Sequence, residues 1–83
     1  MEAHQSPPSR RQGVESTSLA SVGYDLASRT LEVEFHKGGV YRYFGVPSSV
    51  HESLMKAPSK GRFFVTEVRD RFPYSRTLHP ALA

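Results

Sequence analysis

Three stretches of the chain alternate apolar and polar residues with a period of two, and this pattern most constrains the fold. They cover residues 19–25, 30–36 and 40–44. A period of two puts the apolar side chains on one face of a strand, so each stretch predicts a half-buried β-strand. The connecting segments carry turn residues, Asp25 in the first and a pair of glycines in the second. The sequence therefore predicts an antiparallel three-stranded meander.

The second turn decides which face of the sheet carries Tyr41 and Tyr43. A three-residue loop over 37–39 sets apolar residues opposite apolar residues and opposite charges together. The pairs in this register are Phe35 with Tyr41, Val33 with Tyr43, and Glu34 with Arg42. We expect this register, in which both tyrosines belong to the core. A two-residue loop would turn them to the outer face, where aromatic side chains two residues apart could stack on nucleobases.

A helix is predicted after the meander, because Pro47 suits a first helical turn and Ser49 and Glu52 have capping-box spacing. Pro58 ends it. Its apolar residues fall on one stripe and are expected to cover the sheet; they are Val46, Val50, Leu54 and Met55.

A second, short helical segment is predicted from Ser59, with Phe64, Val68 and Phe72 at a spacing of four. The predicted fold class is therefore α+β: a three-stranded antiparallel β-meander, one helix packed on the sheet, and a second short helical segment.

Length and composition predict one domain with two tails. At 83 residues without cysteine, the chain has room for a single small core held by packing alone. Residues 1–16 are polar and proline-containing, which predicts a disordered N-terminal tail; the domain is expected over 17–76 and a flexible C-terminal tail over 77–83. There is neither a long apolar stretch nor a signal-peptide pattern, so we expect a cytoplasmic monomer without membrane attachment.

Positive charge is concentrated in the C-terminal third. Residues 56–76 carry six basic and two acidic side chains, whereas residues 1–55 carry five basic and six acidic ones. A basic segment of this kind predicts a surface for a polyanion. The candidate nucleic-acid-binding residues are Lys60, Arg62, Arg69, Arg71, Arg42 and Arg76, and Phe44 beside Arg42 would add an aromatic contact.

The run Ser59–Arg62 is the sharpest single feature of this basic segment. Glycine at 61 lets the backbone approach a ligand closely, and a helix start would direct amides toward an anion. The alternative is a turn between helices whose cations are simply solvated.

The sequence lacks the combinations of side chains that enzymatic catalysis requires. The chain has no cysteine nucleophile, and Glu32 and Glu34 share one strand face that is expected to be exposed and to pair with Arg42. The four histidines have no ligand spacing, and no glycine-rich phosphate loop occurs. We expect no catalytic residue, no metal site and no cofactor.

Several motifs together resemble the KTSC domain family. They are Ser21–Asp25, Leu31-x-Val33-x-Phe35, Gly39–Pro47, Ser59–Phe64 and Arg69–Tyr74. Tyr41 and Tyr43 match the Tyr-x-Tyr motif at the centre of that family, which occurs at the C-terminus of some lysyl-tRNA synthetases and as stand-alone bacterial proteins. The resemblance implies the family's small fold and a proposed role in RNA binding.

Two functions remain open from the sequence. The first is a non-enzymatic module that binds the backbone of RNA or tRNA through the C-terminal basic patch. The second is a protein-interaction module with an exposed aromatic patch and a basic rim; its aromatic residues would be Phe44, Phe63, Phe72 and Tyr74.

Overall fold

The structure is a computed structural model that describes residues 11–77. Five strands form one antiparallel sheet in chain order. The strands are β1 (Gln12–Gly13), β2 (Leu19–Asp25), β3 (Thr30–Phe35), β4 (Val40–Tyr43) and β5 (Tyr74–Thr77). Between β4 and β5 lie helix α1 (Ser48–Lys56), helix α2 (Lys60–Phe64) and a π-helical segment (Val65–Arg69). The α+β class and the central meander β2–β3–β4 are confirmed.

Two edge strands enlarge the predicted meander. In β1, Gln12 pairs with Val22 of β2, and in β5, Tyr74 pairs with Tyr43 of β4. The predicted tail boundary after residue 16 is therefore too late, since Val14 also donates its backbone N–H to Ala20 O at 3.2 Å. Thr77 likewise ends β5 rather than beginning a tail. Residues 1–10 and 78–83, which the tail predictions also cover, lie outside the described residues.

The β3–β4 hairpin differs from its predicted register by two residues. Its loop is 36–38: Phe35 N donates to Gly39 O, and Gly38 N donates to Phe35 O. Both glycines adopt positive φ, 106° at Gly38 and 96° at Gly39, so the turn closes earlier than a single left-handed residue at 39 would allow. The observed pairs are Leu31 with Tyr43, Glu32 with Arg42, Val33 with Tyr41, and Glu34 with Val40.

A shift of two residues preserves the face of every side chain, because the period of a strand is two. Tyr43 is therefore buried in the core, at 3% exposure, and Tyr41 packs against it half-buried, as the favoured loop predicted. The predicted partner of Arg42 is wrong: it is Glu32 rather than Glu34.

The predicted N-terminal cap is observed in helix α2 but not in helix α1. Helix α1 begins after Pro47 without a side-chain cap, so the predicted Ser49–Glu52 capping box does not form. Helix α2 begins after Ser59, whose Oγ accepts the Arg62 amide N–H at 3.4 Å. The π-helical segment follows directly, and Thr66 Oγ1 there donates to Arg62 O at 3.1 Å.

The core lies between the sheet and the helical segments. Its fully buried members come from β2, β3, β4 and the region 46–68; they are Leu19, Val22, Leu31, Val33, Tyr43, Val46, Leu54, Phe64 and Val68. Val50 and Met55 pack against this cluster, so the predicted apolar stripe of α1 is confirmed. None of the helices within residues 11–77 has the length and apolar character of a membrane span.

The opposite face of the sheet carries a buried ion-pair network. Glu32 is 2% exposed, and its carboxylate accepts from Arg11 Nη1 at 2.7 Å and from Arg42 Nε at 2.8 Å. Arg11 also donates from Nε to Ser21 Oγ at 2.8 Å. The expectation that Glu32 lies on an exposed face is therefore wrong, because the arginine that precedes β1 folds over it.

Candidate functional site

A groove of about 610 Å³ opens between the β3–β4 hairpin, β5 and the start of the second helical region. Its aromatic lining consists of Phe35, Tyr41, Tyr43, Phe64 and Tyr74. We call this the aromatic groove. Its size lies in the range typical of ligand sites, about 300–1,000 Å³.

Three tyrosines of the groove stand side by side because β4 and β5 pair there. The ring centroid of Tyr74 lies 5.8 Å from that of Tyr41 and 5.4 Å from that of Tyr43. Phe64 of α2 supports Tyr43 edge-on at 5.3 Å. Exposure differs sharply, since Tyr43 is 3% and Tyr74 is 58% exposed. Tyr74 therefore offers an open ring face on a rigid aromatic base.

The Tyr43 hydroxyl is held in its neutral form. Burial raises its pKa to about 12, with smaller contributions from the neighbouring Tyr74 and Tyr41. A neutral phenol both donates and accepts hydrogen bonds. Tyr43 therefore contributes an uncharged hydroxyl to the residues that line the groove.

Cations border the groove on several elements. Lys37 of the hairpin loop and Arg69 of the π-helical segment line it. Arg76 of β5 lies over the Tyr41 ring, with Cζ 5.7 Å from the centroid. Asp70 is the acidic residue among the described lining residues. The charge around the aromatic groove is thus mainly positive.

The other predicted cations do not line this groove. Lys60 donates from Nζ to Ala57 O at 3.0 Å, at the end of α1, and Arg71 donates from Nε to Thr66 O at 3.1 Å. Arg42 is paired with Glu32 on the opposite face of the sheet, and Arg62 is exposed on α2. Of the six candidates, the structure brings Arg69 and Arg76 to the aromatic groove.

In the run Ser59–Arg62, the glycine serves helix packing rather than an open anion-binding site. A Cβ at Gly61 would lie 3.1 Å from Ser18 Oγ, so the glycine serves the close approach of α2 to the segment before β2. This packing accounts for the glycine, and we assign no anion site to the run.

The predicted aromatic patch is only partly assembled. Tyr74 lines the aromatic groove, whereas Phe63 and Phe72 are half-buried against the core. Phe44 is 40% exposed but is not among the groove residues.

Two groove residues were missed in the sequence. Lys37 lies in the predicted loop over 37–39, and the sequence predicts no site role for Val65. Val65 is 44% exposed at the rim of the groove. The available signal is that Val65 follows two consecutive phenylalanines, but only the fold shows that Lys37 lines the same groove.

This arrangement defines a small domain in which helical segments pack on one antiparallel sheet beside an aromatic groove. The family model of the KTSC domain matches residues 15–72. The crystal structure of a KTSC domain protein from Yersinia pestis superposes with a TM-score of 0.81 at 41% identity, over 82% of this chain and 96% of that one. The chain belongs to the KTSC domain family.

Two relatives show the settings in which similar sequences occur. An uncharacterized protein from Stutzerimonas stutzeri (strain A1501) is 47% identical over 66% of this chain and 78% of its own length. A lysine–tRNA ligase from Trichormus variabilis is 39% identical over 75% of this chain, but the matched part spans 11% of the ligase. Sequences similar to this domain thus occur both as a small protein and as a minor part of a tRNA ligase.

Proposed function

We propose that this protein is an RNA-binding module that holds the phosphate backbone with the cations around its aromatic groove. The observation that carries the proposal is the convergence of Lys37, Arg69 and Arg76 on one aromatic surface from three separate elements. Stacking surfaces bordered by cations are typical of proteins that bind single-stranded nucleic acid.

The relatives also favour a function in RNA binding. A lysine–tRNA ligase acts on a tRNA, and a segment of it resembles nearly three quarters of this chain. A domain attached to such an enzyme is well placed to contact the RNA. The chain also has a formal net charge of +3, which favours association with a polyanion.

The test measures affinity for total tRNA as a function of salt. Three phosphate contacts predict a log–log slope of about −2 to −3, since each contact releases condensed counterions. We expect Arg69→Gln and Arg76→Gln each to flatten the slope by roughly 0.7 to 0.9. Arg62→Gln is the matched control: it removes one exposed charge from α2 outside the groove lining and should change the slope less.

The competing function is docking of a protein on the same groove. The exposure of Tyr74, at 58%, and of Val65, at 44%, favours it, because both are apolar surfaces at one rim. Absence of affinity for tRNA at low ionic strength would count against the RNA proposal and in favour of protein docking. Equal flattening of the slope by Arg62→Gln and Arg69→Gln would mean that RNA binding is not centred on the groove.

A further inference from the structure

The aromatic groove is recessed, and this depth bears on the kind of nucleic acid that fits. Tyr43 forms part of its floor and is 3% exposed, while Tyr74 and Val65 stand at the rim at 58% and 44% exposure. A base inside a duplex is covered on both faces by its neighbours. It would have to leave the stack before it could reach a tyrosine ring in this groove.

We propose that the aromatic groove takes an unpaired nucleotide, with its base on the ring of Tyr74 and its phosphate near Arg69 or Lys37. This inference rests on the proposed RNA binding and specifies the ligand at the same site. It assigns the protein to single-stranded segments of RNA rather than to paired ones.

The rings of the groove favour a flat ligand. Tyr74 is backed by Tyr43 at 5.4 Å and by Tyr41 at 5.8 Å, so its position is set by packing and not by the ligand. A preformed ring surface loses little conformational entropy when a base stacks on it. Every nucleobase has such a face, so stacking here carries little sequence preference.

The positive charge around the groove favours a nucleotide over an apolar peptide as the ligand. Among the described residues, Lys37, Arg69 and Arg76 border the rings, against the single carboxylate of Asp70. A nucleotide carries its negative charge next to a flat aromatic base, which matches this juxtaposition of cation and ring. An apolar peptide has no anionic group to place beside these cations.

The experiment compares a short oligouridine with an RNA duplex of the same length at one salt concentration, by fluorescence anisotropy of the labelled RNA. We expect the full chain to bind the single strand more tightly than the duplex. Tyr74→Leu keeps an apolar side chain but removes the ring, and it should lower single-strand affinity about tenfold while changing duplex affinity little. Tyr74→Phe keeps the ring and should retain most of the affinity.

Phe44→Leu is the matched control, since Phe44 is an exposed aromatic residue that does not line the groove. It should leave both affinities unchanged. Because Tyr74 is mostly exposed, its variants are expected to fold, and thermal unfolding checks this directly.

The outcomes distinguish the two proposals. If both RNAs bind with salt-dependent affinity but Tyr74→Leu changes neither, the unpaired-nucleotide site is wrong and backbone binding stands. If neither RNA binds at low ionic strength, the proposed function fails, and the nucleotide site fails with it.

Discussion

Tyr43 shows at the scale of one residue how the core and the groove share side chains. Tyr43 belongs to the buried cluster, and it also lines the aromatic groove. Burial raises the pKa of its hydroxyl to about 12, from the ordinary tyrosine value of 10.0. The protein therefore keeps this phenol neutral at a pH where an exposed tyrosine ionises.

This pKa shift predicts a dependence of stability on alkaline pH. The folded pKa lies above the unfolded one, so the stabilising contribution is complete below about 10 and is lost as the pH rises toward about 12. We expect the free energy of unfolding to fall over this interval in the unmodified protein. Tyr43→Phe keeps the ring and removes the ionisable group, so the decline should be shallower in urea unfolding across the same range.

Tyr41→Phe is the control variant for this experiment. It removes a tyrosine hydroxyl from the same strand, two residues away, and leaves Tyr43 unchanged. If Tyr43→Phe and the unmodified protein lose stability in parallel from pH 10 to 12, the Tyr43 hydroxyl is not buried as described.

Strand β1 shows at the scale of an element how a two-residue strand is held in place. Its ladder with β2 is short, but Arg11 ahead of it donates to Ser21 and to the buried carboxylate of Glu32. Hydrogen bonds between charged partners contribute about 1.5–3 kcal/mol each, more than neutral ones. The ion pair therefore fastens the strand to the face of the sheet opposite the groove.

Loss of this ion pair should release β1 while the core stays intact. In Arg11→Ala we expect the amide of Val14, which donates to Ala20 O, to lose hydrogen-exchange protection by about tenfold or more. Protection at Val33 in the central strand should change little. Glu15→Gln, an exposed charge change in the same segment, serves as the control. An unprotected Val14 amide in the unmodified protein would contradict the placement of β1.

At the scale of the whole molecule, the sequence determined the faces of the strands better than their partners. A three-residue loop places Tyr41 and Tyr43 on the covered face, and a register shift of two residues keeps them there, so their face is predicted correctly. The register was not, because two adjacent glycines can both adopt positive φ and the sequence does not say which closes the hairpin.

Contacts between segments far apart in sequence could not be predicted from local sequence patterns. β5 has one large apolar residue, Tyr74, and its pairing with β4 depends on how the chain returns after Pro73. The approach of Gly61 to Ser18 joins segments far apart in sequence. For the same reason, a basic run that is continuous in sequence is divided among several surfaces, and Lys37, distant in sequence, joins Arg69 at the aromatic groove.

The aromatic groove is the proposed site at which this protein binds nucleic acid. The most direct measurement is an NMR titration of the isotope-labelled full chain with a short oligouridine at low ionic strength. We expect the largest amide shifts at groove residues on three elements, namely Lys37, Gly38, Val65, Arg69 and Tyr74. Amides of α1 and of Gln12–Gly13 should move little. Shifts that concentrate on α1 or on the Glu32 face of the sheet, or an unchanged spectrum, would contradict it.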